Sequence, residues 1–256
     1  MIRWLEELPR QESFWTALEN ACPAEAAMIW AEAVVLGHGN AGLWVQEGEN
    51  GPTALLLRNT VGAVTAALLP EADRQELSEF LQVAGFDSLT LPQGWAEQLD
   101  LPETTVQEYL LMEWQEQQQA LPCEVPTQTI TATQLLQNTL AAFGDAITET
   151  EQQEWLWAFG LRIRRGTAEA MGLFQHSEML AAAALSHIGR KGAVIGFVGT
   201  SPNKTGKGYG RILTAAMAAQ AAEKGLRPLL GCKDELEKVY RRVGFVTIGR
   251  QTVLKK

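Results

Sequence analysis

The chain has 256 residues, of which 46% are hydrophobic and 20% charged, a composition that indicates one large or two modest folded domains and excludes a disordered chain. It contains no apolar run of about 18 residues and begins with charged residues, so we expect neither a transmembrane helix nor a secretory signal, and a cytoplasmic protein that binds no membrane. The three cysteines and three histidines lie far apart, which fits a reducing compartment and predicts no metal site.

The net charge of −9 is unevenly distributed along the chain. Residues 1–120 contain 4 Lys and Arg against 19 Asp and Glu, whereas residues 121–256 contain 17 against 11. This split predicts two units, of which the basic one either attracts an anionic ligand or neutralises the acidic one across an interface. The polar, proline-containing segment 116–129 reads as a linker. We therefore expect a first domain over 1–118, a linker over 119–128 and a second domain over 129–256.

The first half has hydrophobic patterns in the order strand, strand, strand, helix, strand, helix, strand. These elements are predicted over residues 42–48, 53–59, 63–70, 71–85, 87–92, 94–99 and 106–114. No element is assigned before residue 42. The predicted element order of the first half is therefore βββαβαβ.

The second half begins with two helices and then repeats the same order. Its elements are predicted over residues 131–144, 148–166, 168–175, 178–189, 193–201, 209–224, 227–232, 234–244 and 245–256. Thr148 and Glu151 fit a capping box at the start of the second helix. Because both halves contain βββαβαβ, we interpret the chain as an internal repeat. The first copy has "PEADRQ" where the second has "PNKTGKGYG", so only the second has glycines and lysines at this point.

The stretch "SPNKTGKGYGRIL", residues 201–213, lies between a predicted strand and a predicted helix. Its glycines Gly206, Gly208 and Gly210 alternate, which lets a phosphate group approach bare backbone N–H groups at the positive end of the helix dipole. Lys204, Lys207 and Arg211 add positive charge. An anion-binding loop is the functional interpretation, and a lysine-rich surface turn is the simpler structural one.

Two common nucleotide-binding loops are excluded by spacing. A Walker A loop has four residues between its first glycine and Gly-Lys-Ser/Thr, whereas six residues separate Gly199 from Gly206. A dinucleotide-binding loop has the pattern G-x-G-x-x-G, whereas this one is G-x-G-x-G. We also predict no parallel βαβ unit and no ribose-binding carboxylate downstream.

The loop at residues 202–210 resembles the P-x-x-R/Q-G-x-G-x-G/A motif of the GNAT superfamily of N-acetyltransferases. The stretch "YRRVGF", residues 240–245, resembles the Tyr-x-x-x-Gly-Phe motif of the same family, and the predicted element order fits the family domain over 128–256. The resemblance implies an α+β fold with a mixed central sheet flanked by helices. The first half is similar by element order alone, which implies two GNAT-like domains in tandem with the cofactor in the second.

The resemblance implies that acetyl-coenzyme A (acetyl-CoA) is the acyl donor. Backbone N–H groups of the glycine loop would bind its pyrophosphate, and the preceding strand would line its pantetheine and acetyl groups. The implied cofactor-binding residues are Val198, Gly199, Thr200, Thr205, Gly206, Lys207, Gly208, Tyr209, Gly210, Arg211 and Lys233. Tyr240 would be the catalytic acid that protonates the departing thiolate, since a phenol with a pKa of about 10 stays protonated at neutral pH.

The sequence departs from the family pattern in three places. Thr205 replaces the usual Arg or Gln of the loop, and Lys233 stands where asparagine is common. The strand "AVIGFVGTS" has no carboxylate, so the general base that some members place there is missing. His187, Glu178 or a chain of water molecules are the alternatives for that base.

These features favour transfer of an acetyl group to a primary amine of a small molecule or peptide. Trp155 and Trp157 either shape an apolar acceptor pocket or, for Trp155, belong to the core, and the acidic first half favours a cationic amine. The alternative is a catalytically weak protein that binds acyl-CoA as a sensor or scaffold. Binding of nucleic acid, including transfer RNA, is opposed by the net acidity and by the lack of an aromatic platform. The acceptor and the choice between monomer and homodimer stay open.

Overall fold

The computed structural model of the protein describes residues 1–36, 42–115, 126–144 and 147–256. The strands are β1 Ile2–Trp4, β2 Gly42–Gly48, β3 Gly51–Arg58, β4 Ala63–Leu68, β5 Ser88–Pro92, β6 Thr105–Trp114, β7 Thr127–Thr129, β8 Glu169–Gln175, β9 Glu178–Ile188, β10 Gly192–Thr200, β11 Arg227–Cys232 and β12 Phe245–Lys255. The helices are α1 Glu12–Ala21, α2 Pro23–Leu36, α3 Arg74–Ala84, α4 Ala132–Phe143, α5 Glu149–Arg165, α6 Tyr209–Glu223 and α7 Glu237–Arg241.

The strands of the described part of the chain form one mixed sheet in the order β1-β2-β3-β4-β5-β12-β6-β11-β10-β9-β8-β7. The pairs β4–β5 and β10–β11 are parallel, and the other paired neighbours are antiparallel. The predicted fold class, a mixed sheet flanked by helices, is confirmed. Since α6 connects the parallel strands β10 and β11, the expectation that no parallel βαβ unit follows the glycine loop is wrong.

The two halves exchange strands at the centre of this sheet. β6 of the first half lies between β11 and β12, and β12 of the second half lies between β5 and β6. The β6–β12 register runs from Trp114 opposite Phe245 to Thr105 opposite Lys255. Each repeat therefore completes the sheet of the other. The predicted domain boundaries fall at or near residues 116–125, outside the described residues, and stay a prediction.

The predicted elements of the second half are confirmed almost throughout. The Thr148–Glu151 capping box is present at the start of α5, and α4 ends at Gly144 in the left-handed region. Two details differ. β7 lies in the segment read as a linker and pairs with β8, and residues 234–244 contain a short 3₁₀ turn before α7. In the first half, residues 94–99, predicted as a helix, contain only a 3₁₀ turn.

β1, α1 and α2 at the start of the chain were not predicted from the sequence. α2 packs against strands of both halves, including β3, β4, β9 and β10, and against α5. Being covered on several sides, it is apolar nearly all round and shows no amphipathic stripe. The turn after β9 approaches it so closely that a side chain at Gly189 would lie 2.6 Å from the Cα of Ala27. The halves are thus joined through α2 as well as through the exchanged strands.

The unequal charges of the two halves meet at this junction. Several basic residues of the second half form ion pairs with carboxylates of the first. The pairs are Arg162–Glu32, Arg190–Glu12, Lys191–Glu19, Arg227–Glu113 and Arg250–Glu108. Neutralisation across an interface therefore accounts for much of the charge split seen in the sequence.

Candidate active site

The glycine loop ends at Gly208, which is the N-cap of α6. Gly206 and Gly208 have φ values of +77° and +80°, in the left-handed region that favours glycine. The amides of residues 205–211 donate no hydrogen bond to any described residue, and Gly208 offers no side-chain cap. A side chain at Gly206 would meet nothing within 4 Å. The loop therefore presents free N–H donors to open space at the positive end of a helix.

The cations around this loop are not equivalent. Lys204 forms an ion pair of 2.9 Å with Glu178 and so is already neutralised. Lys207 is exposed and Arg211 half-buried, and neither forms an ion pair or side-chain hydrogen bond with a described residue. Thr205 Oγ1 only donates a long bond of 3.4 Å to the carbonyl of Pro202. Lys207 and Arg211 are thus the side chains available to an anion here.

Strands β10 and β11 diverge in front of the loop. They pair only over residues 192–195 and 227–230, so residues 196–200 of β10 separate from β11. A register shift between Gly196 and Gly199 bulges β10 away from the regular β9 ladder, and Phe197 takes a φ of +55° in the bulge. This divergence leaves a fork between the two parallel strands.

The end of β10 lies against the first turn of α6. A side chain at Gly210 would lie 3.2 Å from Thr200 Oγ1 and 3.6 Å from Val198 Cγ1. Gly199 lies on the other face, where its carbonyl accepts a 3.0 Å hydrogen bond from the buried Asn138 of α4. The predicted residues of the strand and of the loop are therefore brought together at the fork.

Tyr240 of α7 lies on the α6 face of the fork, packed on the same apolar cluster as Val198 and Tyr209. Its ring meets Phe245 edge-on with centroids 6.2 Å apart, and its hydroxyl has no hydrogen-bond partner among the described residues. Burial, with a smaller contribution from Cys232, raises the pKa of Tyr240 to about 12. The phenol is consequently protonated at neutral pH. Lys233 is exposed just beyond β11, and its side chain forms no hydrogen bond or ion pair with a described residue.

Comparison with known proteins assigns this arrangement. The model of the acetyltransferase (GNAT) family matches residues 133–245, which include the glycine loop, the fork and Tyr240. Residues 133–245 therefore form a domain of the acetyltransferase (GNAT) family. No curated protein is significantly similar to the chain in sequence.

Solved structures extend the likeness to the first half. A GNAT-family acetyltransferase from Colwellia psychrerythraea is 16% identical with a TM-score of 0.57, over 100% of this chain and 99% of its own. A tandem GNAT protein from the clavulanic acid biosynthesis pathway is 12% identical with a TM-score of 0.56, over 100% and 98%. A GCN5-related N-acetyltransferase from Kribbella flavida is 18% identical with a TM-score of 0.58, over 80% and 86%. The first half therefore also has the GNAT fold.

The first half lacks the open loop of the acetyltransferase domain. At the start of α3, the Asp73 side chain accepts a hydrogen bond from the backbone amide of Glu76. The Gln46 side chain donates to the backbone carbonyl of Asp73 and accepts from its backbone amide. Glu76 in turn accepts hydrogen bonds from Gln46 and from the amide of Ile2. The protein's own side chains thus occupy the helix start that would hold a pyrophosphate.

A cavity of about 460 Å³ lies between α2, α5 and the bulge of β10. Trp155 forms one wall, stacked on Phe159 with centroids 4.8 Å apart and edge-on to Phe197 at 5.2 Å. Glu154, which is exposed and without a described partner, lies at the rim. Trp157 is 48% exposed and does not line the cavity. Of the two tryptophans considered from the sequence, Trp155 alone lies at this wall of the acetyltransferase domain.

A buried ionic cluster closes one end of the cavity. Arg162 Nη1 lies 2.6 Å from Glu32 Oε1, and His187 Nε2 contacts both Arg162 and Glu32. His187 Nδ1 lies 3.1 Å from Ser186 Oγ, which donates to the carbonyl of Val194. Both ring nitrogens of His187 therefore have protein partners. The other base considered from the sequence, Glu178, is held in the ion pair with Lys204.

The charges of this cluster are fixed by its surroundings. Burial and the neighbouring Arg162 charge lower the pKa of His187, so the ring is neutral at neutral pH. Burial acts to raise the pKa of Glu32, but its hydrogen bond with His187 and the charge of Arg162 outweigh this and lower it. The cluster is thus an Arg162–Glu32 ion pair beside a neutral imidazole.

A pH dependence of stability follows from the lowered pKa of His187. The unfolded chain takes up a proton at about pH 6.5 that the folded chain resists, so stability from this site is present above about pH 6.5 and lost as pH falls below it. We expect the free energy of unfolding to decrease between about pH 7.5 and 5.5, as measured by urea denaturation. His187→Gln should remove most of the decrease, and His176→Gln, in an exposed turn, should retain it. An equal decrease in both variants would contradict the assignment.

Sequence reasoning missed Glu32, Asn138 and Phe197. For Glu32 the sequence did contain a signal, because Glu25 and Glu32 are seven residues apart in an otherwise apolar helix and so share one face.

No helix in the described part of the chain is long and apolar enough to cross a membrane. Among the same residues, no group of three or more His, Cys, Asp or Glu has the geometry to hold a metal ion.

Proposed function

We propose that the protein transfers an acetyl group from acetyl-CoA to a primary amine. The observation that supports this is the run of free amides at residues 205–211, beside the unpaired cations Lys207 and Arg211, at the mouth of the β10–β11 fork. Such a loop fits a pyrophosphate, and the fork provides an apolar slot for a pantetheine arm. When bound, acetyl-CoA supplies the thioester that the amine attacks.

Tyr240 has the properties required of the acid in this reaction. Its hydroxyl is free to donate, and its pKa of about 12 keeps the proton in place until a strongly basic thiolate forms nearby. Val198 and Thr200 fix the position of the strand against α6, while Asn138 holds the bulge through the Gly199 carbonyl. The chain would therefore align the donor strand β10 with an acid on α7 at one fork.

The cavity lined by Trp155 and Phe197 is the proposed acceptor site. It reaches the bulge of β10 from the face opposite Tyr240, and its rim carries the carboxylates of Glu151 and Glu154. These carboxylates favour a cationic amine of a small molecule or peptide. Because His187 and Glu178 are both engaged, we propose that water molecules carry the amine proton to the rim. The proposed enzyme acts in the cytoplasm.

The loop is tested by placing a carboxylate in it. Gly206→Asp should weaken acetyl-CoA binding by at least about tenfold, because the new charge lies where the pyrophosphate is proposed to bind. Gly225→Asp is the matched control. Gly225 lies just after the C-terminal end of α6, has a φ of +73°, and has equally open surroundings. Isothermal titration with acetyl-CoA measures both. Equal affinity in the two variants would remove the loop from the proposed site.

A sensor or scaffold that binds acyl-CoA without turnover is the second candidate. It is favoured by the lack of a carboxylate on β10 and by the engagement of His187. It predicts acetyl-CoA binding without release of coenzyme A in the presence of any amine of a broad panel. Sustained release of coenzyme A with one amine would exclude it.

A further inference from the structure

A second cavity, of about 370 Å³, lies in the first half of the chain where β4 and β5 diverge. These strands pair in parallel only over residues 63–65 and 88–90, and the cavity is bordered by the strand ends at Leu68 and Pro92. It thus lies at the fork that corresponds, in the repeat, to the β10–β11 fork. Its other walls come from the α1–α2 junction and from the exchanged strand β12.

A buried carboxylate, Glu25 of α2, lines this cavity. Glu25 is only 1% exposed, and its Oε1 accepts a 2.8 Å hydrogen bond from Gln251 Nε2. Its Oε2 is buried and has no hydrogen-bond partner among the described residues. Burying a carboxylate oxygen without a hydrogen-bond partner costs free energy, so a ligand that donates a hydrogen bond to Oε2 would be stabilising.

The cations that border the cavity do not supply that partner. Arg227 binds Glu113 through two 2.8 Å hydrogen bonds, and Arg250 pairs with Glu108 and Asp234 at 3.3 and 3.2 Å. Both arginines are therefore neutralised by other carboxylates. Burial raises the pKa of Glu25, and among the described residues no cation forms an ion pair with its carboxyl group.

We propose that this cavity is a second ligand site, which binds a small molecule through a protonated amino group placed against Glu25. An ammonium group donates three hydrogen bonds and carries a positive charge. It therefore supplies the hydrogen-bond donor that Oε2 lacks and the counter-ion that stabilises the ionised carboxylate. The remainder of the lining is mixed, and its apolar side chains, which include Trp95, Leu111 and Ile248, fit a short alkyl chain. The volume of about 370 Å³ is in the range of small-molecule sites.

The site is tested without acetyl-CoA by titrating the 256-residue protein with butylammonium. The neutral 1-butanol and the anionic butyrate are probes of similar size. We expect butylammonium to bind and the other two to bind at least about tenfold more weakly. Glu25→Gln keeps the shape and the acceptor for Gln251 but removes the charge, and should weaken butylammonium binding at this site at least about tenfold. Glu71→Gln, an exposed carboxylate of the same half, is the matched control and should leave binding unchanged.

A second variant protects the test against a folding defect. Ala21→Trp, at the exposed mouth of the cavity, should block butylammonium while leaving Glu25 in place. Any butylammonium bound in the Trp155 cavity would still bind in both variants and would appear as a separate equivalent of bound ligand. Gly206→Asp should leave binding at the Glu25 site unchanged. The proposal is overturned if Glu25→Gln binds as well as the parent protein, if 1-butanol binds as tightly as butylammonium, or if the folded parent protein binds no butylammonium.

Discussion

Replacing Tyr240 by phenylalanine is expected to lower kcat for acetyl transfer by about 10²–10⁴-fold without changing the Kd for acetyl-CoA. The phenyl ring keeps the packing of Tyr240 on Phe245 and removes only the hydroxyl, which forms no hydrogen bond with the described residues. Stability should therefore change little. The rate should change greatly, because the departing thiolate loses its proton donor.

This result is measured as release of coenzyme A thiol at saturating amine, with Kd measured separately by titration. Tyr109→Phe is the matched control, since the exposed Tyr109 hydroxyl donates to Gln107 and has no part in the proposed reaction. It should leave kcat unchanged. If Tyr240→Phe turned over at the parent rate, Tyr240 would not be the acid of the reaction. If both proteins bound acetyl-CoA without turnover, the sensor interpretation would be supported instead.

The parts of this site that could be predicted from sequence are those with local backbone requirements. The alternating glycines of residues 206–210 are needed where the chain turns from a strand into a helix, and the turn is visible in the letters alone. Tyr240 precedes a Gly-Phe pair at fixed spacing. The capping box at Thr148 is likewise a relation between residues three apart. In each case the interacting residues are neighbours in sequence, so their types determine the structure.

The parts that could not be predicted depend on contacts between distant residues. Nothing in β6 or β12 indicates that they exchange places, because a strand shows its alternation but not its partner. α2 was missed because its burial between the halves removes the amphipathic pattern by which a helix is recognised. Arg162 lies near the end of α5, and its partner Glu32 is 130 residues away, a separation that no local pattern reveals. The same distance explains why Lys204 looked available when it is paired with Glu178.

The Arg162–Glu32 pair is expected to contribute more to stability than any exposed ion pair of the chain. Its side chains are 8% and 13% exposed, their nearest atoms are 2.6 Å apart, and the guanidinium carbon lies 5.3 Å from the centre of the Phe159 ring. Arg162→Met removes the cation and leaves Glu32 buried without its charge partner. We expect a loss of about 3–5 kcal/mol in the free energy of unfolding, the range found when one member of a buried pair is removed.

The double variant Arg162→Met/Glu32→Met separates charge from packing. With both charges removed the desolvation cost disappears, so the double variant should be more stable than Arg162→Met alone and is expected to recover much of the loss. Arg164→Met, on the exposed face of α5, should change stability by less than about 0.5 kcal/mol. Urea denaturation at neutral pH measures all three. If the double variant were as unstable as Arg162→Met, the stacking of Arg162 on Phe159 and its contact with His187, rather than its charge, would be what holds α5 to α2.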